Sequence, residues 1–305
     1  MAEQVKYMKR GIRRLVMRGY WYPHDVLSIL ILCGYAFYIL IAPHRFSGWG
    51  YHLLGYILGI SAIVMLAVLE SEHAHPVLSF FHITYPLYAY AFLYWESGRL
   101  LHIFRPHLMD YVVQGWERMV FGVPWLGLLF PRSTVLSEFL HFGYLSYFLL
   151  IGLTALYLLL TNRMLLIRYV FGVSLTFYCC YLFFDILPAA GPRFFYLVPE
   201  QILEERGFFT YFVRNILFKG AIDGGAFPSS HVAVAWVVWF YLRRAIGWKA
   251  LWFLPVVFLL IGGTVYGGYH YAVDVIAGTV VGLTLYKLGA LWYPRFIRWI
   301  SHHLR

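Results

Sequence analysis

Long apolar runs recur along the whole chain, and they constrain its fold more than any other feature. An α-helix needs about 20 consecutive apolar residues to cross a bilayer, and eight runs come close to that length. They lie near residues 26–42, 51–69, 77–96, 135–160, 164–186, 230–247, 250–266 and 272–292. Only 12% of the residues are charged, whereas soluble domains carry about 25%. The sequence therefore predicts an all-α integral membrane protein, a multi-span helical bundle of about eight transmembrane helices.

The positive charges indicate how the bundle is oriented. Short cytoplasmic loops of membrane proteins carry an excess of Lys and Arg. With eight spans, four basic clusters fall on one side of the bilayer, at residues 6–18, 163–168, 243–249 and 287–305. Both termini are therefore expected in the cytoplasm, with the plasma membrane as the simplest host. The net charge of +10 is interpreted as contact with anionic lipid and not as a nucleic-acid surface.

The chain is expected to form a single membrane domain over residues 26–294, between a basic cytoplasmic segment (1–25) and a cytoplasmic tail (295–305). Between the third and fourth apolar runs, segment 97–134 mixes Trp and Phe with Arg. This composition is typical of helices that lie in the headgroup layer. Interfacial helices are therefore predicted on the outer side of the bundle.

Three polar patches fall on the predicted outer side, and ionisable residues at membrane depth are costly and typically functional. The first patch, "LPAAGPRFFY", contains Arg193, and the second, "FPSSH", ends with His231 at the start of the sixth run. The third, "GGTVYGGYHYAVDVIAG", places His270 and Asp274 at the start of the eighth run. Because His270 and Asp274 are four residues apart, they share a helix face, and the carboxylate can hold the imidazole in one tautomer.

The "PSSH" patch has the features of an anion site. Ser229 and Ser230 offer hydroxyl groups at a helix N-terminus, where backbone N–H groups and the helix dipole attract negative charge. His231 lies in the first helical turn, where it could protonate a leaving oxygen, and Arg193 would add positive charge. Together with His270, these residues predict a site for a tetrahedral phosphate with a histidine nucleophile and a histidine acid.

At these residues the sequence resembles the type-2 phosphatidic acid phosphatase superfamily. That family has three motifs, Lys-x6-Arg-Pro, Pro-Ser-Gly-His and Ser-Arg-x5-His-x3-Asp. "PSSH" at 228–231 matches the second motif with one change, and "HYAVD" at 270–274 matches the end of the third. The matched motif region is 188–278, and the resemblance implies a six-helix phosphatase-type core.

The resemblance also implies a role for each matched residue. His270 would be the nucleophile that forms a phosphohistidine, and Asp274 would orient it. His231 would be the acid and base at the leaving group. Ser229 and Ser230 would donate hydrogen bonds to the phosphate.

Two departures from the motifs reduce the number of cations available to a phosphate. "GT" stands at 263–264 where the third motif has Ser-Arg, and the first motif is reduced to "GPR" at 191–193. Phosphate would then be held by Arg193, with help from Arg214 or Lys219.

One branch of the superfamily, which includes the fungal inositol phosphorylceramide synthases, tolerates these losses, and "GYHYAVDVIAG" is similar to it. These enzymes move a phospho-alcohol headgroup between lipids, so the bound group is a phosphodiester with one less negative charge. The resemblance thus implies a membrane phosphotransferase that acts on a phospholipid or lipid-phosphate donor. Hydrolysis of a lipid phosphate stays open, because water could replace the acceptor alcohol, and so does a non-enzymatic transporter or lipid-binding protein. The sequence leaves the lipid donor, the acceptor and the oligomeric state undetermined.

Other patterns have simpler interpretations. The histidine spacings fit no closed metal site, so no metal or other cofactor is expected. Glu96 and Arg99 are interpreted as an ion pair one helical turn apart. Gly278 and Gly282 have the GxxxG spacing that is typical of helix packing.

Overall fold

The computed structural model describes residues 20–41, 44, 47–73, 75–131, 133–196, 207–215 and 220–303. These residues are 84% helical and contain no β-strand, which confirms the predicted all-α membrane bundle. Residues 1–19 of the predicted basic segment and the candidate cation Lys219 lie outside the described residues. The α-helices are α1 Pro23–Ile41, α2 Trp49–Glu72, α3 Pro76–Phe104, α4 Asp110–Phe121, α5 Thr134–Thr161, α6 Arg163–Ile186, α7 Phe208–Asn215, α8 Ser230–Ile246, α9 Leu254–Tyr266 and α10 Ala272–His303.

Within the described residues, six helical segments are long and apolar enough to cross a membrane: α1, α2, α5, α6, α10 and the joint segment Ser230–Tyr266. The joint segment contains α8 and α9, connected by the 3-10 turn Gly247–Phe253. It folds back on itself, because His231 at the start of α8 lies beside His270, just beyond the end of α9. Each of the eight predicted runs thus corresponds to a helix, although α3, which contains the third run, is not among the six segments. The chain is an integral membrane protein.

One end of the bundle is held together by a cluster of buried polar residues. His82 near the start of α3 contacts Asp25 of α1 (Nε2 to Oδ2, 3.1 Å) and Glu70 of α2 (Nδ1 to Oε2, 2.5 Å). Arg163 at the start of α6 donates to Oε1 of Glu70 at 3.2 Å. We call this the basal end; no sequence pattern predicted it. The starts of α1, α3 and α6 and the end of α2 meet here, so consecutive long helices run in opposite directions.

Helix α6 forms the centre of the bundle. In its most apolar stretch 72% of the residues are buried, and it packs against α1, α3, α5, α8 and α10. A helix that is apolar on all sides is expected in such a position. Outer helices instead expose apolar side chains, for example Leu54 and Ile57 of α2 at 53% and 59%. Surfaces of this kind are suited to contact with lipid.

The GxxxG spacing of α10 serves helix packing, as the sequence predicted, and the structure shows that the partner is α8. A Cβ atom added to Gly278 would collide with the carbonyl oxygen of Ser229, and one added to Gly282 would collide with that of Ala233. Only glycine permits this approach. The contact fixes the start of α8, with "PSSH", beside the first turns of α10, with the His-x3-Asp motif.

Segment 97–134 is divided between several elements. Its first residues continue α3 as far as Phe104, and α4 and the 3-10 turn Leu126–Leu129 follow. Helix α4 packs on α10 at the end of the bundle opposite the basal end, which we call the site end. The location of α4 in the headgroup layer stays a prediction. In this part of the described chain Glu96 and Arg99 are joined through His52, at 2.8 Å and 3.3 Å, and not directly as predicted.

Candidate active site

The turn between α9 and α10 positions His270. The carbonyl oxygen of Thr264 accepts the N–H groups of Tyr269 and His270, both at 3.0 Å, so the turn closes on the end of α9. Gly268 has φ = +74° in this turn, a conformation that residues with a side chain rarely adopt. His270 is consequently held in the interior, with 3% of its surface exposed.

Two acceptors orient the imidazole of His270. Its Nδ1 lies 2.8 Å from the carbonyl oxygen of Ala226 and 3.5 Å from Oδ2 of Asp274. Because a carbonyl oxygen can only accept, Nδ1 carries the proton, and Nε2 of the neutral ring keeps its lone pair. Burial, the neighbouring His231 and the positive charge of Arg193 lower the pKa of His270 well below its ordinary value. The ring is therefore neutral at physiological pH.

His231 faces His270 across the site. Its Nδ1 lies 3.4 Å from Nε2 of His270, and its Nε2 lies 3.1 Å from the hydroxyl group of Tyr144 on α5. Since Nε2 of His270 has no proton, Nδ1 of His231 is the donor, and Nε2 of His231 accepts from Tyr144. The hydrogen bonds thus assign one tautomer to each ring. Tyr144 lies within an apolar run, and sequence reasoning missed it.

The two serines of "PSSH" have different environments. The hydroxyl group of Ser229 caps α8 by accepting the N–H of Val232 at 3.4 Å. The backbone N–H of Ser229 donates to the carbonyl oxygen of Asp274 at 3.0 Å, which joins the second and third motifs. Ser230 lines the same cavity as His231. Both serines are buried, and Ser230 is the one that faces the space open to a ligand.

Asp274 is fixed by its own turn. Its Oδ2 accepts the N–H of Tyr271 at 2.8 Å, and the carboxyl group is completely buried. The structure therefore brings the three predicted catalytic residues, His231, His270 and Asp274, into one site.

Arg193 lies at the edge of this site. It belongs to the 3-10 turn Pro192–Phe194, and its backbone N–H donates to the carbonyl oxygen of Gly268 at 3.0 Å. Burial lowers the pKa of its guanidinium group, and its charge reaches both imidazole rings. The alternative cation Arg214 lies in α7, which packs on α5, and its contribution to phosphate binding stays a prediction.

Helix packing occupies the position at which the family motif has Ser-Arg. A Cβ atom on Gly263 would collide with the carbonyl oxygen of Leu140, so α9 and α5 are in close contact there. The hydroxyl group of Thr264 donates to the carbonyl oxygen of Ile261 at 2.7 Å, and the residue is fully buried. At these two positions, where the family motif has a cation, the chain instead makes contact between helices.

Two buried carboxylates of α4 support the site, and sequence reasoning missed both. Asp110 accepts the N–H groups of Ala190 and Gly191 at 2.8 Å and 2.9 Å, next to Arg193. Burial raises the pKa of this carboxyl group, although both hydrogen bonds oppose the shift. The signal in the sequence was an acidic residue among apolar neighbours. Burial of such a charge is costly unless the carboxylate is paired.

The second carboxylate, Glu117, caps the start of α10. It accepts the N–H groups of Ala272 and Val273 at 3.1 Å and 2.9 Å, and that of Leu126 at 2.9 Å. A negative charge at a helix N-terminus is favourable. Glu117 thereby holds the turn that carries His270 and Asp274.

Comparison with known proteins identifies the family. A family model described as the PAP2 superfamily matches residues 113–288, which is more than half of the 305 residues. The chain belongs to the PAP2 superfamily. The PAP2 match covers all six predicted site residues, and α1–α3 lie before it. Neither a search of curated proteins nor a search of solved structures found a match.

Membership in the PAP2 superfamily supports a membrane enzyme of the lipid phosphatase or phosphotransferase type, with a lipid phosphate as the kind of substrate. It agrees with the resemblance found in the "PSSH" and His-x3-Asp motifs. The narrower likeness to the inositol phosphorylceramide synthases is not part of this finding.

Proposed function

We propose that the protein is a membrane phosphotransferase that moves a phosphate or phospho-alcohol headgroup from a lipid donor to a lipid or alcohol acceptor. The transferred group would be carried as a phosphohistidine on His270. The observation that supports this most is the unprotonated Nε2 of His270 facing the Nδ1–H of His231 at 3.4 Å. One ring offers a lone pair and the other offers a proton, which are the two groups needed to displace an alcohol from phosphorus.

In the first step, the lone pair on Nε2 of His270 attacks phosphorus. An N–P bond forms while the P–O bond to the departing lipid alcohol breaks. With the anionic phosphate bound, His231 carries a proton on each ring nitrogen. Its Nδ1–H gives a proton to the departing oxygen, so the alcohol leaves neutral and the ring returns to its neutral form. The phosphorylated imidazole keeps its proton on Nδ1, where the carboxylate of Asp274 at 3.5 Å and the carbonyl oxygen of Ala226 at 2.8 Å stabilise its positive charge.

In the second step, the acceptor alcohol attacks the same phosphorus. Its proton goes to Nδ1 of His231, the N–P bond breaks, and His270 regains its lone pair. Water in place of the alcohol would make the enzyme a lipid phosphatase. Ser230, at the cavity wall beside His231, is suited to donate a hydrogen bond to the bound phosphate in both steps.

The scarcity of cations favours transfer over hydrolysis. Arg193 is the predicted phosphate ligand whose charge reaches both histidines, and Thr264 occupies the position of a second arginine. A phosphodiester carries one negative charge fewer than a phosphomonoester, so a single guanidinium group suits it better. Phosphodiester donors are the substrates of headgroup transferases.

The proposal puts the site end outside the cytoplasm, with the plasma membrane as host. Arg163 and Arg168 lie in the first turns of α6, at the basal end, and Arg243 and Arg244 lie in the last turn of α8. Because α8 begins at the site end, its last turn is also basal. An excess of basic residues is typical of the cytoplasmic side.

A panel of substrates tests the proposal. Purified wild-type protein, a His270→Ala variant and a control His73→Ala variant would each receive labelled phospholipids and lipid phosphates, with and without alcohol acceptors. His73 is exposed and follows α2 at the basal end. We expect a new phosphodiester lipid from the wild type and from His73→Ala, but not from His270→Ala. Free phosphate as the sole His270-dependent product would make the protein a phosphatase. No product from any protein across the panel would favour a transporter or lipid-binding protein.

A further inference from the structure

A long cavity leads away from the candidate active site. It has a volume of about 870 Å³, and Ser230 and His231 form part of its wall. Its sides are α3 and α5, which both pack on α6 but hardly touch each other. Its lining is apolar and aromatic, with Phe80, Leu87, Phe92, Ile151, Leu156 and Leu159 among the lining residues. We call this cavity the α3–α5 groove.

The groove is deeper than one leaflet of a bilayer. On α3 its lining extends from Trp95 back to Phe80, a separation of fifteen positions that spans about 22 Å at ~1.5 Å per residue. On α5 it extends from Tyr144, which contacts His231, to Leu159 near the basal end. Half of the hydrocarbon core of a bilayer measures about 15 Å. A ligand that fills the groove is therefore long, thin and apolar.

The groove opens sideways, towards the membrane. Aromatic side chains at its rim have much of their surface exposed, with Tyr88 at 67%, Phe92 at 50% and Phe148 at 49%. Apolar side chains exposed at this depth contact lipid and not water. A hydrocarbon chain can therefore enter from the bilayer between α3 and α5 without passing through water.

We propose that the α3–α5 groove holds the hydrocarbon chain of the donor lipid, whose phosphate lies at His270, and that the groove selects donors by chain length. This inference rests on the proposed function. The apolar walls and His231 belong to one cavity. This supports a hydrocarbon chain of the substrate as the occupant, and not a chain of a surrounding membrane lipid. Since α3 lies before the PAP2 match, the N-terminal helices contribute one wall of the groove and with it the chain selectivity.

Gly152 is the residue best placed to test the groove. It lines the groove on α5, eight residues or about 12 Å beyond Tyr144 at ~1.5 Å per residue. A Cβ atom added there would meet nothing within 4 Å, so a larger side chain would fill the groove without displacing the helix. Gly55 of α2 has equally open surroundings and is not a groove residue, so Gly55→Trp is the matched control.

The experiment measures turnover of octyl, dodecyl and hexadecyl phosphate in mixed micelles by wild type, Gly152→Trp and Gly55→Trp. We expect Gly152→Trp to lower kcat/KM for hexadecyl phosphate by about tenfold relative to octyl phosphate, as for a hydrophobic pocket that is too short. Leu159→Trp, nearer the basal end, should affect hexadecyl phosphate alone. The same chain-length profile for all variants would overturn the proposal.

A labelling experiment tests whether the hydrocarbon chain binds in the groove, independently of turnover. Hexadecyl phosphate with a photoreactive diazirine at the end of its chain would be crosslinked to the catalytically inactive His270→Ala protein, with and without Gly152→Trp. We expect labelled peptides around Phe80 and Leu159, and loss of that label when Gly152 is replaced. Label spread over the exposed faces of α1 and α2 and insensitive to Gly152→Trp would overturn the proposal. The proposed function would instead fail if neither the alkyl phosphates nor the labelled phospholipids gave a His270-dependent product while the groove was still labelled.

Discussion

Nε2 of His270 lies 3.4 Å from Nδ1 of His231, although 39 positions separate the two residues in the chain. The α8–α9 hairpin brings them to the same end of the bundle, and Gly278 lets α10 approach the start of α8 closely enough to join them. The gap leaves no room for phosphorus between the two nitrogens. A substrate must therefore move one ring aside. His231 is the ring whose other hydrogen-bond partner is a side chain, the hydroxyl group of Tyr144, and not a fixed backbone carbonyl.

The pKa of His270 predicts how activity depends on pH. Burial lowers this pKa well below the ordinary value of 6.5, so the nucleophile stays neutral in mildly acidic solution and is lost only when the pH falls through the lowered pKa. We expect kcat/KM to stay constant as the pH falls from 7 past 6.5, and to decline at lower values. The pH–rate profile of the purified enzyme measures this. Half-loss of activity at or above pH 6.5 would contradict it.

Tyr144 is expected to act through His231. Tyr144→Phe removes the hydroxyl group that donates to Nε2 of His231 at 3.1 Å, so the ring loses the partner that fixes its tautomer. One such hydrogen bond contributes about 1 kcal/mol, and we expect kcat to fall about fivefold with KM little changed and the pH profile altered. Tyr157→Phe, at a partly exposed position of the same helix, is the control. Equal kinetics and pH profiles for both variants would show that Tyr144 does not act through His231.

Glu117 is expected to stabilise the turn that carries His270. Glu117→Ala leaves the N–H groups of Leu126, Ala272 and Val273 without their acceptor. Because hydrogen bonds to a charged group are strong, the free energy of unfolding should fall by roughly 3 kcal/mol. Thermal unfolding in detergent would show this as a lower Tm, partly restored in Glu117→Gln, which keeps one acceptor oxygen. An unchanged Tm, like that expected for the exposed Glu72→Ala, would refute this role.

Contact between α8 and α10 is expected to depend on Gly278. Gly278→Ala drives a methyl group into the carbonyl oxygen of Ser229, so the helices must separate at a cost of about 1–3 kcal/mol. Both the Tm and the activity should fall, since the motif serines and Asp274 lie at this contact. Gly115→Ala on α4 adds the same methyl group with nothing within 4 Å and should leave both unchanged. A stable, fully active Gly278→Ala protein would show that the close contact is not required.

Sequence reasoning found the residues that stand out against an apolar background. Eight helices follow from eight apolar runs, and His231, His270 and Asp274 are polar residues at the ends of such runs, where a bundle brings loops together. The predicted location of their common site at one end of the bundle follows from the alternating directions of the helices.

The remaining parts of the site carried no such signal. The acceptor on Nδ1 of His270 is the backbone carbonyl of Ala226, and any residue type supplies a carbonyl. Tyr144 is one of 26 tyrosines and lies in an apolar run, where an aromatic side chain is ordinary. Asp110 and Glu117 accept hydrogen bonds from backbone N–H groups about 80 and 155 positions away in the chain. Spacing rules for a single helix do not predict contacts over such separations.

Direct detection of a phosphorylated His270 tests whether this residue carries the transferred group. The wild-type protein and the His270→Ala variant would be mixed with a donor labelled at phosphorus, quenched in alkali, and examined for label bound to the protein. We expect alkali-stable, acid-labile label on wild-type protein, located by mass spectrometry to the peptide containing His270, and none on His270→Ala. Turnover by the wild type without bound label, or equal label on the variant, would contradict it.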